Sequence, residues 1–281
     1  MEKGETMKIE KGANAIVTGA GSGIGRALAL ELARRGANLA VTDIKGERLP
    51  GLVAEIRALG VTAEAFTVDH ADRDAVLRFS ESYEKIFGRA DILCLNAGIA
   101  VAGPVERLTH EDWARTFGVN LWGPVFMVEL FAPSMIARRK GGILITASGA
   151  GYTAIPGLSP YSTSKYAMVG LAEALHCELG KHGISVCALC PGVIATNIVA
   201  ESQMRFADRP GGSTKDKLVR FYATWGASPE RVARDGLRGL TKNRCVQPSP
   251  GHAWALYYLK RFAPGIYWRA AGMAWSRGWI A

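Results

Sequence analysis

Tyr161 and Lys165 stand four residues apart in the run Tyr-Ser-Thr-Ser-Lys, and a helix there places a phenol beside an ammonium on one face. Such a pair can act as a base. A free tyrosine titrates near about 10, and a neighbouring positive charge favours the phenolate, bringing the group toward proton transfer near neutral pH. A second set suits phosphate. Thr18-Gly19-Ala20-Gly21-Ser22-Gly23-Ile24-Gly25 follows an apolar run over 13–17 and precedes a helical pattern through Arg35. Strand, glycine turn and helix in that order let a pyrophosphate approach backbone N–H groups at a helix N-terminus, where the dipole favours negative charge.

The spacing Gly-x-x-x-Gly-x-Gly, taken with Tyr161 and Lys165, resembles the classical short-chain dehydrogenase/reductase family, and the resemblance extends over residues 13–250. Leu95-Asn96-Ala97-Gly98 resembles the family's Asn-Asn-Ala-Gly turn, with Leu95 in its first place. Asn120 matches the family's helix-embedded asparagine, and Ser148 ends a strand thirteen residues before Tyr161, the family spacing. Pro191-Gly192-Val193-Ile194-Ala195-Thr196 resembles the segment that embraces nicotinamide.

The resemblance implies a catalytic set of Asn120, Ser148, Tyr161 and Lys165. Tyr161 would exchange a proton with the oxygen of an alcohol or ketone, and Ser148 would hydrogen-bond that oxygen. Lys165 would lower the phenol's pKa and hold the nicotinamide ribose, while Asn120 supports a water in a relay behind it. The same resemblance gives the dinucleotide Gly19, Ser22, Gly23, Ile24, Gly25, Asp43, Asp69, Asn96, Ala97, Gly98, Tyr161, Lys165, Pro191, Gly192, Ile194 and Thr196.

Positioning these residues requires strands. Apolar runs near 13–17, 38–42, 63–68, 91–95, 142–147, 185–190 and 244–247 alternate with helical stretches. That is the pattern of an α/β, Rossmann-type doubly wound parallel sheet of about seven strands with helices on both faces. One domain over residues 1–281 is expected, with 196–226 as a substrate lid and 252–281 as an aromatic, basic extension. Ser228-Pro229-Glu230 reads as a helix start. The first twelve residues lack the apolar stretch of a signal peptide, and no run of eighteen apolar residues suggests a spanning helix. Five cysteines, an odd number mostly in expected strands, suit a reducing cytoplasm. Cys187 and Cys190, three apart on a strand, would face opposite sides of the sheet, which argues against a metal or redox pair.

Cofactor choice turns on Asp43, twenty-four residues after Gly19 at the end of the second expected strand. A carboxylate there accepts from a ribose 2'-hydroxyl and repels a 2'-phosphate. The glycine turn holds no basic residue, so NAD is expected; Lys45 argues the other way. The plainer use of Asp43 is to cap a helix starting near Gly46.

The expected lid carries Ile198, Val199, Met204, Phe206, Leu218, Phe221, Tyr222 and Trp225, and Tyr152, Ile155 and Leu158 lie beside the catalytic strand. These predict a lipophilic or aromatic substrate of hydroxysteroid, retinoid or aryl-carbinol type, or equally the packing of the lid itself. An NAD-dependent secondary-alcohol dehydrogenase is the leading expectation. A 3-oxoacyl thioester reductase usually draws on NADPH, against which Asp43 speaks, and a dinucleotide-sensing binding protein has no evident need for the full catalytic set.

Lysine and arginine outnumber the acids 34 to 25, for a formal charge of +9. After Asp235 there is no acid, while seven cations and four tryptophans follow. On a helical wheel Trp268, Trp275 and Trp279 fall within about 40° of each other. The extension is therefore expected to be a contact surface, first for another subunit of a homodimer or homotetramer and second for a membrane face. No motif for reading bases accompanies the charge, so nucleic acid is not expected.

Overall fold

In the computed structural model, which describes residues 7–206, 214–251 and 253–277, strand residues divide by parity between the two faces of one sheet. The strands are β1 (Asn14–Thr18), β2 (Asn38–Asp43), β3 (Ala63–Thr67), β4 (Ile92–Leu95), β5 (Val101–Ala102), β6 (Gly141–Thr146), β7 (Ile184–Pro191), β8 (Gln203–Met204) and β9 (Val246–Ser249). Seven of them form a parallel sheet in the order β3-β2-β1-β4-β6-β7-β9, and β5 pairs separately with β8. The seven expected strands are all present.

Each central strand is buried on both sides, as a sheet covered by helices on two faces demands. Ala15, Val17, Leu144, Cys187 and Leu189 point to one layer, together with α1 (Gly23–Arg34), α2 (Leu49–Arg57) and α9 (Pro229–Thr241). Ile16, Ile143, Ile145, Val186, Ala188 and Cys190 point to the other. There α3 (Arg73–Phe87) contributes Val76, Phe79 and Tyr83, and α6 (Ser159–Gly180) contributes Met168, Ala172 and Leu179. Cys187 and Cys190 thus lie on opposite faces, and no His, Cys, Asp and Glu cluster able to hold a metal occurs among the described residues.

Local chemistry sets the helix starts. Asp72 accepts from the N–H groups of Asp74 and Ala75 to open α3, and Thr109 and Asp112 form a reciprocal capping box for α4 (His110–Phe117). Ser228 accepts from Arg231 N–H at 3.3 Å, with Pro229 in the first turn of α9, as its sequence predicts. α4 runs through a single π-helical turn, Gly118–Trp122, into α5 (Gly123–Arg138). By length and composition this continuous helix, His110–Arg138, could cross a membrane; its Met127, Phe131 and Met135, one turn apart, bury one side against the sheet.

After β7 come α7 (Ile198–Glu201), β8 and α8 (Thr214–Trp225). Residues 207–213 of the expected lid lie outside the described residues. The chain ends in two helices, α10 (Ala253–Phe262) and α11 (Pro264–Ser276).

Candidate active site

The strand order reverses between β1 and β4, and ligands of open α/β sheets bind in the crevice at such a point, beyond the carboxyl ends of the strands. The two strand ends are laced together. The Thr18 hydroxyl accepts from the N–H groups of Asn96 and Ala97, both at 2.9 Å, and the Asn96 amide donates to the carbonyls of Thr18 and Gly19 at 3.1 and 3.3 Å. Asn96 therefore fixes the glycine turn from the neighbouring strand. Thr18 heads the glycine run in sequence, but its task as acceptor exists only once β4 lies beside β1.

The glycine turn fits a dinucleotide. Gly19 has φ +62°, and a Cβ on Gly25 would stand 2.1 Å from the Gly19 carbonyl oxygen, so only glycine lets α1 begin this close to β1. Ser22 occupies the N-cap in extended conformation with no side-chain bond to the helix, leaving the first-turn N–H groups of Gly23, Ile24 and Gly25 without a side-chain acceptor. Gly23, Thr196 and Asn197 line a groove of about 160 Å³ at this helix start. A larger depression, about 320 Å³, involves Asn14, Arg89 and Asp91 at the opposite, N-terminal edge of the strands, away from these groups.

Asp43 closes β2 with its carboxylate against the glycine turn: one oxygen accepts from Gly21 N–H and the other from Lys45 N–H, each at 2.9 Å. It braces the turn after β2 but does not cap the helix at Gly46–Arg48, whose N-cap is Lys45 with no side-chain bond, so the expected capping role is replaced by a turn contact. Asp69 is exposed after β3 and accepts from Ala71 N–H at 2.9 Å. Between these acids the buried His70 shares a 2.7 Å hydrogen bond with Thr42, and burial pushes its pKa down to about 4 although both carboxylates pull the other way.

α6 carries Tyr161 and Lys165 one turn apart, as expected, with the lysine Nζ 5.7 Å from the phenol ring centre. Lys165 is buried, donates to the Thr146 carbonyl at 2.9 Å, and is pushed down by desolvation to about 8. The phenol departs from the sequence expectation. Burial pushes Tyr161 up to about 12, and only a hydrogen bond with Ser148 works against it. Desolvation, which penalises the charged phenolate, sets the direction of the shift. Ser148 follows β6 and caps a short turn, its hydroxyl accepting from Ala150 N–H at 3.1 Å.

Asn120 sits in the π-helical turn and is buried. Its carbonyl oxygen accepts from Ile99 N–H at 2.8 Å, and its amide donates to the Ile99 carbonyl and to the Ser164 hydroxyl, both at 3.0 Å. A Cβ on Gly98 would stand 3.3 Å from both Asn120 Oδ1 and Lys165 Nζ, so the Asn96-Ala97-Gly98 turn, Asn120 and Lys165 converge. Across the crevice Pro191 ends β7, Gly192 N–H donates to the Ser249 carbonyl at 2.8 Å, and Ile194 bridges to Ala227.

The walls differ from expectation in two places. Tyr152 is buried, bonded through its hydroxyl to the Ala253 carbonyl at 3.2 Å and edge-on to Tyr257; it anchors the extension. Trp268 and Trp275 share one side of α11 two turns apart, but their surroundings differ. Trp275 and Phe206 both stand over Gly157, whereas Trp268 is exposed beneath the Lys260 ammonium, and Trp279 lies outside the described residues. Tyr267 donates to the Ala154 carbonyl at 2.6 Å, so α11 flanks the loop beyond Ser148. Arg205, just after β8, forks onto both oxygens of the buried Asp112 at 3.1 and 2.9 Å and ties the segment after β7 to α4.

Residues 13–205 match the family described as short chain dehydrogenase. The chain is 36% identical over 237 residues to C alpha-dehydrogenase of Sphingobium sp. strain SYK-6, covering 82% of this chain and 77% of that one. It is 32% identical over 252 residues to 17-beta-hydroxysteroid dehydrogenase 13 of Homo sapiens, covering 89% and 78%. EphD of Mycobacterium tuberculosis is 34% identical over 255 residues, and there the match covers 88% of this chain but 43% of EphD, so the chain spans less than half that relative's length. A short chain dehydrogenase/reductase from Burkholderia phymatum, solved in complex with NAD, has the same fold at TM-score 0.82 and 27% identity, covering 92% of this chain and 96% of that one. By its sequence match and its sheet, the chain belongs to the short chain dehydrogenase family of oxidoreductases, which bind a nicotinamide dinucleotide.

Proposed function

We propose that the protein is an NAD-dependent dehydrogenase that interconverts a secondary alcohol and a ketone on a lipophilic or aromatic substrate. The observation that carries this reading is the meeting of Ser148, Tyr161 and Lys165 beside the crevice that holds the glycine turn. When bound, the dinucleotide accepts or gives the hydride and, oxidised, brings positive charge. Everything else falls to the chain. Tyr161 holds or takes the proton at the substrate oxygen, and Ser148 donates to that oxygen and stabilises the charge that develops on it. A phenol pushed up to about 12 is protonated at neutral pH and suited to give its proton to a ketone. Taking a proton from an alcohol requires the phenolate, which the Lys165 ammonium favours.

Asn120 acts behind this pair, its amide fixed between Ile99 and Ser164. Asp43, facing Gly21, supports NAD, as does a neighbour solved with NAD. Phe206 and Trp275, both standing over Gly157 in the loop beyond Ser148, and relatives named for a hydroxysteroid and for dehydrogenation at a Cα position, support the lipophilic or aromatic substrate. The test is a panel of steroid, aryl and aliphatic carbinols, followed by NADH formation. Turnover confined to sugars or short hydroxy acids would remove the substrate class proposed.

A further inference from the structure

Glu201 belongs to the segment that follows β7, yet its carboxylate reaches the turn after β2. One oxygen accepts from Arg48 Nη2 at 2.8 Å and the other lies 3.3 Å from Lys45 Nζ. Both cations flank Asp43, whose oxygens accept from Gly21 N–H and Lys45 N–H, so this end of the crevice combines groups with opposed preferences. Asp43 repels a 2'-phosphate on the adenosine ribose, while a lysine and an arginine beside it would attract one. The ion pairs are between 30% and 43% exposed, and pairs that open to water contribute little to stability. What they do is decide where the charges stand.

We propose that Glu201 determines dinucleotide choice, pairing with Lys45 and Arg48 so that neither cation is available to a 2'-phosphate. The inference rests on the NAD reading and explains how a turn with two cations can keep it. Three carboxylates, Asp43, Glu47 and Glu201, act on Arg48, and the cations are two, Lys45 and Arg48. Neutralising Glu201 therefore takes this group from one net negative charge to none and frees both donors. The Arg48 guanidinium is held above its usual range first by its bond to Glu201. Partial burial tends to raise the Glu201 carboxyl, but the bonds from Arg48 and Lys45 outweigh it and hold the group below the usual carboxylate range. Glu201 also lies 153 residues from Arg48 in sequence, so one carboxylate joins the segment after β7 to the turn after β2.

The test is binding rather than turnover: NADH and NADPH are titrated into the full chain by quenching of tryptophan fluorescence, for wild type, Glu201→Gln, and Glu201→Gln combined with Lys45→Ala and Arg48→Ala. Glu201→Gln should tighten NADPH about tenfold or more, the gain expected from new charge-assisted bonds to phosphate, and change NADH less than about threefold. The combined variant should lose that gain. An NADPH-to-NADH ratio that does not move, equal shifts for both dinucleotides, or a gain that survives loss of the two cations would each overturn the proposal. A wild type that prefers NADPH sinks the NAD reading alone; the change in ratio between variants still decides the role of Glu201.

Discussion

Asn120 and Ser164 are joined by a 3.0 Å hydrogen bond, and Ser164 passes it on by donating to the Tyr161 carbonyl at 2.8 Å. A buried amide in a π-helical turn is thereby tied to the backbone of the residue proposed to transfer the proton. Ser164→Ala should leave the Asn120 amide with the Ile99 carbonyl alone, lowering kcat about tenfold, the worth of one buried hydrogen bond, with little change in KM. Steady-state kinetics decide it. A kcat equal to wild type would mean that Asn120 is held well enough without Ser164.

Removing the Tyr161 hydroxyl should cost far more. Tyr161→Phe is expected to reduce turnover by about 10² to 10⁴, the usual contribution of general acid–base catalysis. Dinucleotide affinity, measured by titration, should stay within about twofold. Retention of more than about a tenth of the activity would assign proton transfer to another group.

Asp43 can be tested without dismantling the turn it holds. Asp43→Asn keeps an acceptor for Gly21 N–H or Lys45 N–H but removes the charge, and should narrow the gap in kcat/KM between NAD and NADP by about tenfold. Asp43→Ala should also weaken NAD itself. Equal efficiencies with both dinucleotides in the wild type would leave nothing for the carboxylate to explain.

His70 gives the fold an acid-side weakness. Its pKa in the folded chain, about 4, lies below the unfolded value near 6.5, so the unfolded chain takes up the proton first as pH falls. Its contribution is complete above about pH 6.5 and is lost progressively toward pH 4, amounting to about 2 kcal/mol by pH 5. Urea unfolding at pH 7.5 and 5 should show wild type losing more stability than His70→Gln, which cannot titrate. Parallel losses would place the acid sensitivity elsewhere.

The outward side of α10 is apolar: Leu256, Leu259 and Phe262 are all exposed, Phe262 by 78%. Exposed apolar patches of this kind mark contact sites, and members of the family are commonly oligomeric. We therefore expect Leu259→Asp combined with Phe262→Asp, or truncation before Pro264, to give a smaller species by sizing chromatography. Flotation of the intact chain with anionic vesicles at low salt, reversed at high salt, would instead assign the face to a membrane.

Much of the site was legible because its chemistry tolerates few residue types. A close approach such as Gly25 to Gly19 admits only glycine, and a phenol and an ammonium one turn apart suit a base, so their spacing, with the family resemblance that the ordered motifs carry, singles them out. The strands were legible because burial on both faces leaves long apolar runs, as in β6 and β7. What stayed hidden depends on distant segments meeting. Thr18 matters because β4 lies beside β1, Ser164 because the π-helical turn lies beside α6, and Glu201 because α7 reaches the turn after β2. The direction of the Tyr161 shift was missed for a related reason: sequence displays the neighbouring lysine but not how much water the fold removes.

The strand order also carries a kinetic consequence. β1 and β4 are neighbours although β2 and β3 lie between them in the chain, and β7 must join β6 before Pro191 and Thr196 face the glycine turn. Contacts between segments so distant in sequence form slowly, since chain entropy is spent before they are made. During synthesis from the N-terminus, the turn after β1 emerges long before the helix bearing Tyr161 and the strand that closes the crevice. Partly made chains would therefore expose the unpaired backbone edge of β4, with its apolar side chains, until β6 arrives, and recovery of activity on refolding should lag behind the return of helical signal.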